Sequence, residues 1–108
     1  MANLKRILWH LLGGTRGGPQ RIRILQALRD RPYNTNQLAT LLATDYKTMA
    51  HHLKVLEENR LISSTGDRYG TMFLFTRDME ESILELERIA EKVRSPVKRQ
   101  PTEGRVPE

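Results

Sequence analysis

Apolar residues recur every three or four positions in five stretches of the chain, which is the repeat of a helix with one buried face. Two further stretches, 61–65 and 71–76, are rich in Ile, Thr and Phe, as strands are. Because a Gly-bearing loop at 66–70 separates them, they are predicted to form a β-hairpin. The five predicted helices cover residues 3–12, 19–29, 36–42, 45–58 and 78–94.

The ends of these helices are marked by residues that cap or interrupt helices. Residues 13–18 contain four of the seven glycines, and glycine is unfavourable inside a helix. Thr35 and Asp45 are the predicted N-caps of the third and fourth helices. Asp78 is predicted to open the last helix, with Glu81 three residues later as its capping partner.

The order of elements, four helices, a hairpin and a helix, predicts a mainly α fold of the α+β class. The third and fourth helices are joined by a turn of about three residues, and the hairpin follows them directly. This arrangement indicates a winged helix-turn-helix with extra N- and C-terminal helices. The predicted parts are an N-terminal dimerisation helix at 1–12, the winged domain at 13–77, a C-terminal dimerisation helix at 78–94 and a disordered, proline-rich tail at 95–108.

The fourth predicted helix, 45–58, has an apolar face and a basic face. At 100° per residue, Lys47, His51 and Lys54 lie roughly 140° to 200° from the centre of the apolar face. Hydrogen-bond donors on the front of a helix with an apolar back are typical of a helix that enters the DNA major groove. We therefore predict that 45–58 is a recognition helix. Its apolar face comprises Met49, Leu53 and Leu56.

Other polar residues of this helix and of the hairpin loop are candidate DNA contacts. Thr48 lies at the flank of the basic face, where it could meet a phosphate or a thymine methyl group. Tyr46 begins the helix, where side chain and backbone N–H groups can hold a phosphate. Arg68 and Tyr69 lie in the predicted wing, and an Arg at a hairpin tip can enter the minor groove or contact phosphate.

The glycine-rich loop and the second of two adjacent histidines allow more than one interpretation. The loop is a joint between two helices, or Arg16 and Arg21 contact the DNA backbone from it. His52 lies nearer the apolar face than His51, so it is either a phosphate ligand or a packed histidine. Neighbouring helical residues point about 100° apart and cannot easily share one ion. We therefore predict no metal and no cofactor.

The terminal helices carry apolar stripes whose partner the pattern does not identify. The stripe of the last helix could pack on its own domain. Its heptad-like spacing, together with an amphipathic first helix that has no obvious partner, favours a homodimer instead. The predicted interface residues are Leu4, Ile7, Leu8, Leu11, Met79, Ile83, Leu86 and Ala90.

The distribution of charge points to a polyanionic partner. Residues 1–77 hold twelve Lys and Arg against five Asp and Glu, whereas 78–93 hold two against six. A basic body beside an acidic segment favours a face that meets nucleic acid. Double-stranded DNA is therefore the predicted partner, bound by a sequence-specific regulator. The alternatives are a non-specific architectural DNA-binding protein and a winged-helix module that contacts only proteins.

Several other classes are disfavoured. The chain has no Cys, which excludes disulfides and thiolate metal sites. No apolar run approaches the roughly 20 residues needed to cross a bilayer, so we expect no membrane partner and a cytoplasmic location. No nucleophile motif or phosphate-binding loop is present, and we predict that the protein is not an enzyme.

Three stretches of the chain resemble ArsR-type winged-helix regulators: 18–25 (GPQRIRIL), 36–39 (NQLA) and 47–57 (KTMAHHLKVLE). The resemblance covers about residues 13–76. The GGTRGG opening and the DYKT stretch resemble the short members common in archaea. The resemblance implies a homodimer, paired through its terminal helices, that binds operator DNA and usually acts as a repressor.

The chain departs from this family in two respects. Metal-sensing members carry cysteines, so metal sensing through thiolates is not implied here. The family usually has Gly directly after the recognition helix, where this chain has Asn59 and Arg60. Asn tolerates the left-handed backbone conformation better than Arg, so Asn59 is predicted to adopt it. If Arg60 adopts it instead, the expected cost is about 1 kcal/mol.

Overall fold

The structure, a computed structural model, describes residues 4–67 and 70–98 of the 108-residue chain. In these ranges a π-helical turn, Trp9–Gly13, follows the first of six α-helices, and two strands pair as one antiparallel hairpin. The predicted mainly α fold with a small hairpin is confirmed. The elements are α1 (Leu4–Leu8), α2 (Gly18–Asp30), α3 (Thr35–Leu41), α4 (Tyr46–Glu58), β1 (Ile62–Asp67), β2 (Gly70–Phe75), α5 (Arg77–Glu80) and α6 (Ile83–Lys98).

The helix-turn-helix consists of α3 and α4, and each begins at a capping side chain. At α4 the predicted cap is confirmed, because the Asp45 carboxylate accepts the Thr48 N–H at 3.0 Å. At α3 the predicted cap was one residue late. Asn34 accepts the Gln37 N–H at 2.7 Å while the Gln37 side chain accepts the Asn34 N–H at 2.9 Å. This reciprocal capping box satisfies two backbone donors and leaves Thr35 as the first helical residue.

Both helices of the motif end in the same hydrogen-bonded turn, although neither has glycine there. After α3, Ala43 has φ 55° and the Thr44 N–H reaches the Ala39 carbonyl. After α4, the Leu61 N–H donates to the Leu56 carbonyl. This is the Schellman motif, in which the residue directly after the C-cap needs positive φ.

Arg60 takes the left-handed conformation that was predicted for Asn59. Its φ is 64°, whereas Asn59 has φ −95° as the C-cap. The reason is the register of the turn, since the Arg60 N–H donates to the Glu57 carbonyl at 3.0 Å. That bond and the bond from the Leu61 N–H to the Leu56 carbonyl require positive φ at the residue after the C-cap, whatever its side chain.

The wing is longer than the sequence pattern indicated. β1 and β2 pair from Ile62 opposite Phe75 to Asp67 opposite Gly70. Gly66 therefore belongs to a strand, and the predicted wing residues Arg68 and Tyr69 lie outside the described residues. An isolated bridge joins residue 33 to residue 73 of β2, through two backbone hydrogen bonds.

The last helix is divided in two, and the predicted start at Asp78 was wrong. Thr76 caps α5 by accepting the Met79 N–H at 3.1 Å, so the helix begins at Arg77. Residues 81–82 then separate α5 from α6. Since α6 extends to Lys98, the predicted disordered tail begins at least four residues too early, and 99–108 lie outside the described residues.

The apolar stripes of the terminal helices pack within the chain itself. Leu86 and Ala90 of α6, like Met79 of α5, are buried in the core. The Trp9 indole N–H donates to the Glu85 carboxylate at 2.6 Å and joins the π turn to α6. Intrachain packing therefore accounts for most of the stripe that was predicted as a dimer interface. Of the eight residues, Leu8 and Leu11 are also buried, and Leu4, Ile7 and Ile83 are half-buried against the same core.

The glycine-rich segment is closely packed at its end. A Cβ added to Gly18 would lie 2.1 Å from the Leu12 carbonyl oxygen, and one added to Gly17 would lie 3.0 Å from the His52 ring. These two glycines therefore allow the start of α2 to approach the π turn and α4. No helix within 4–67 and 70–98 is long and apolar enough to cross a membrane.

Replacing Arg60 with glycine is expected to stabilise the protein. Glycine adopts φ 64° without the steric cost that a Cβ imposes, so Arg60→Gly should raise the free energy of unfolding by about 1 kcal/mol. The measurement is urea unfolding at one fixed protein concentration. Asn59→Gly is the matched control and should destabilise the protein, because Asn59 has negative φ and its side chain donates to the Val55 carbonyl. An unchanged or lower stability of Arg60→Gly would contradict this reading of the turn.

Candidate nucleic-acid interface

The outer face of α4 presents side chains that can donate hydrogen bonds. Lys47, Thr48, His51 and Lys54 are exposed. The opposite face is fully covered, since its three apolar residues are at most 1% exposed. The structure therefore places four of the predicted contact residues on one accessible surface of the second helix of the motif. The covered residues are Met49, Leu53 and Leu56.

The start of α4 combines an exposed aromatic ring with a carboxylate. Tyr46 is 56% exposed, an unusual exposure for a large side chain. Asp45 occupies the N-terminal acceptor position, and its bond from the Thr48 backbone N–H lowers the pKa of the carboxyl group. Because this carboxylate already accepts one of the free amides, the helix end offers fewer donors to a phosphate than the sequence suggested.

The distal end of α4 is acidic, which sequence analysis did not consider. Glu58 is exposed and lies one helical turn beyond Lys54. Glu57 accepts a hydrogen bond from the Ser64 hydroxyl at 2.8 Å and connects α4 to the wing. Negative charge at this end confines the positive surface to the part of α4 between Lys47 and Lys54.

Two predicted contact residues are buried instead of exposed. Arg21 is 9% exposed and donates to the Leu11 carbonyl and the Thr15 hydroxyl. His52 is 8% exposed, and burial, followed by the charges of Arg21 and His51, lowers its pKa. Both side chains therefore lie inside the fold and not on the basic surface.

Helical periodicity contains the signal for this burial. Arg21 precedes Leu25 and Leu28 by four and seven residues, which places it on the buried stripe of α2. His52 follows Met49 by three residues and precedes Leu56 by four. A basic residue that is in phase with the buried positions of a helix is therefore expected to be buried and to have a structural role.

The contact that orients the turn of the motif was also missed. The Gln20 amide of α2 donates to the Thr44 hydroxyl, directly before the Asp45 cap. Arg16, by contrast, is exposed on the loop that precedes α2, as predicted for a backbone contact. Within the described ranges no three His, Asp or Glu side chains converge to hold a metal ion.

Comparison with known proteins gives a family match over part of the chain. Residues 18–64, from the start of α2 into the wing, match the model described as "Bacterial regulatory protein, arsR family". No curated protein sequence matches.

Solved structures share the fold. A transcriptional regulator from Thermotoga maritima is 23% identical over 92% of this chain and 70% of its own, with a TM-score of 0.62. MarR is 25% identical over 91% and 70% of the two chains, with a TM-score of 0.67. A mutant of Lactococcus lactis ZitR is 21% identical over 75% of this chain, with a TM-score of 0.62. The match spans only 57% of the ZitR chain.

These comparisons show a winged-helix fold, and residues 18–64 match a family of regulatory proteins. The matched family and fold are those of transcriptional regulators and not of enzymes.

Proposed function

We propose that this protein is a sequence-specific regulator that binds double-stranded DNA as a homodimer, with α4 in the major groove. The observation that carries the proposal is the accessible surface of α4, where Lys47, His51 and Lys54 lie opposite a fully buried apolar face. The B-DNA major groove is wide enough to admit one helix, and its base edges offer acceptors to such donors.

Each residue of the basic surface has a role that fits its chemistry. Lys47 and Lys54 can donate to guanine O6 and N7, and His51 can donate or accept at a base edge. Thr48 and Tyr46, at the flank and the start of α4, would contact phosphate or a thymine methyl group. In this arrangement the side chains of α4 recognise the DNA sequence, whereas phosphate contacts fix the position of the helix on the duplex.

Contacts outside α4 are predicted to be to the DNA backbone or the minor groove. Arg16 is exposed and can reach a phosphate from the loop before α2. Arg68 and Tyr69 remain predicted wing contacts, because they lie between the described strands. Arg21 and His52, being buried, are excluded from the surface that meets DNA.

Repression and likeness to the short archaeal regulators stay predictions from the resemblance. A homodimer on an operator would place two recognition helices about one DNA turn apart, so a roughly palindromic site is expected. Occupation of such a site can block transcription without a further domain.

The dimer would have to use the apolar surface that remains on the terminal elements after intrachain packing. Leu84 of α6 is 71% exposed, and Trp9 and Ile83 are only partly buried. Charges of both signs, at Glu87 and Arg88, flank Leu84. Such a surface can pair with its own copy across a two-fold axis, since each acidic residue can face a basic one.

The recognition surface is tested by selecting bound sequences from a random duplex pool at near-physiological salt. We expect the wild-type protein to select a palindromic consensus. Lys47→Ala combined with His51→Ala should reduce the preference for that consensus by at least about thirtyfold, because two base contacts are lost and each good one contributes about 1–3 kcal/mol.

The matched control is Arg31→Ala combined with Arg77→Ala, which also removes two exposed basic residues, but outside α4 and away from the proposed dimer surface around Leu84. It should keep the consensus and its specificity. Binding without any consensus would favour the architectural alternative that the basic body suggests, and no binding at low salt would favour a protein-interaction module.

The proposed dimer surface is tested by Leu84→Glu, with the protein's mass measured by sedimentation equilibrium. The wild-type protein should be a dimer and Leu84→Glu a monomer, because a charge would be buried without a partner. Leu41→Glu is the control, since Leu41 is also an exposed leucine but lies on α3. A monomeric wild-type protein, or a Leu84→Glu variant that stays dimeric, would contradict the proposal.

A further inference from the structure

We propose that Arg21 and His52 are positioning residues for α4, and that a proton on His52 disrupts their contact and weakens DNA binding. The inference rests on the proposed function, because it concerns how the recognition helix is held. Neither residue is on the basic surface, so any effect on DNA binding has to act through the placement of α4.

Arg21 organises the segment that leads from the π turn into α2. One of its terminal nitrogens donates to the Leu11 carbonyl at 3.1 Å and to the Thr15 hydroxyl at 3.0 Å. The Thr15 hydroxyl in turn donates to the Leu11 carbonyl. A single buried guanidinium therefore holds the loop against the first turn of α2.

His52 brings α4 to the same point. A Cβ on Gly17 would lie 3.0 Å from His52 Cε1 and 3.2 Å from Arg21 Cζ. The loop backbone, the guanidinium and the imidazole thus meet around one glycine, and a methyl group there would require these side chains to shift by a few tenths of an ångström. Because His52 follows His51 directly, a displacement of its ring moves the part of α4 that carries the basic surface.

The first turn of α2 contacts the recognition helix at a second place. Gln20, next to Arg21, is hydrogen-bonded to Thr44 in the turn before the α4 cap. Two consecutive residues of α2 therefore hold the beginning and the middle of the α4 region. Loss of the contact at His52 would remove one of the two places where this part of the chain contacts the α4 region, while the apolar face of α4 stays buried.

The charges around His52 oppose its protonation. The charged groups that act on it are Arg21 from α2 and His51 from α4, both of which repel a positive imidazole. Burial adds to this effect and is the largest cause of the lowered pKa. In addition, His52 Nδ1 and Arg21 Nε are buried without a hydrogen-bond partner among the described residues. A proton on His52 would place a second buried positive charge beside Gly17, which the Arg21 guanidinium also approaches.

The sign of the pH effect follows from the lowered pKa. An unfolded or displaced His52 takes up a proton near its unperturbed pKa of about 6.5, whereas the packed residue does so only at lower pH. The packed arrangement is fully stable above about pH 6.5 and loses stability as the pH falls below it. His51 is exposed on the basic surface and does not take part in this buried contact, so its replacement leaves the pH effect of His52 in place.

The adjacent histidines supply a matched pair of variants. His51→Gln keeps only the buried imidazole of the pair, and His52→Gln keeps only the exposed one. Affinity for the selected duplex is measured at fixed salt between about pH 7.5 and 5.5. His51→Gln should lose affinity as the pH falls, by at most about tenfold per pH unit for one proton. His52→Gln should keep or gain affinity. An equal response of the two variants, or no loss for His51→Gln, would overturn the proposal.

A second measurement separates this inference from the proposed function. Backbone amide resonances of α4 and of residues 13–18 are followed by NMR over the same pH range without DNA. His51→Gln should show shifts at residues 13–18 as well as in α4 towards the low-pH end of this range, whereas His52→Gln should show no shift at residues 13–18. If these shifts occur but the protein does not bind DNA, the link between His52 and residues 13–18 is supported and the proposed function is contradicted. If both variants bind DNA and these shifts are absent, only the proposed link between His52 and residues 13–18 is contradicted.

Discussion

Burial of the apolar face of α4 fixes which side chains the protein can present to a partner. Met49, Leu53 and Leu56 are covered almost completely, and removal of such side chains from water contributes roughly 2 kcal/mol each. Rotation of α4 by one residue would expose part of this face. Interactions of surface charges are worth at most about 1 kcal/mol and cannot offset that loss. The basic surface of α4 is therefore a consequence of the core.

Hydrogen bonds at the helix ends fix the position of α4 along its axis. The Asp45 cap determines its first residue, and the Schellman turn at Arg60 determines its last. Two contacts add a lateral restraint: the Gln20 amide of α2 donates to Thr44 in the helix-turn-helix turn, and His52 of α4 lies against Gly17 directly before α2. The π turn, which is hydrogen-bonded to α6 through Trp9 and to α2 through Arg21, thus connects α6 to the part of the chain that contacts α4.

Local signals predicted the helix α4 and its start well because its determinants are close together in the sequence. The Asp45 cap and the spacing of the apolar residues can both be read from residues 45–58. The turn after it was predicted less well, since intrinsic preference favours Asn59 for positive φ but hydrogen-bond register selects Arg60. Register depends on where the last helical bond forms, and a residue preference does not specify that.

Sequence patterns were least informative about what covers an apolar or basic residue. The stripe of α6 is apolar whether it faces its own core or a second chain, and the structure shows Leu86 and Ala90 inside one chain. For Arg21 and His52 the sequence analysis left a DNA contact and a structural role open, and their helical phase agrees with the burial that the structure shows. Only packing decides between such alternatives, because periodicity defines a face and not its partner.

The role of α4 is tested most directly by mapping the bound DNA on the protein. Backbone amide shifts are recorded by NMR while the selected duplex is added at near-physiological salt. If α4 enters the major groove, the largest changes occur from Lys47 to Lys54 and at the wing, with little change on the exposed side of α6. Changes concentrated on α6, or on α3 without α4, would show that the recognition helix has been misassigned.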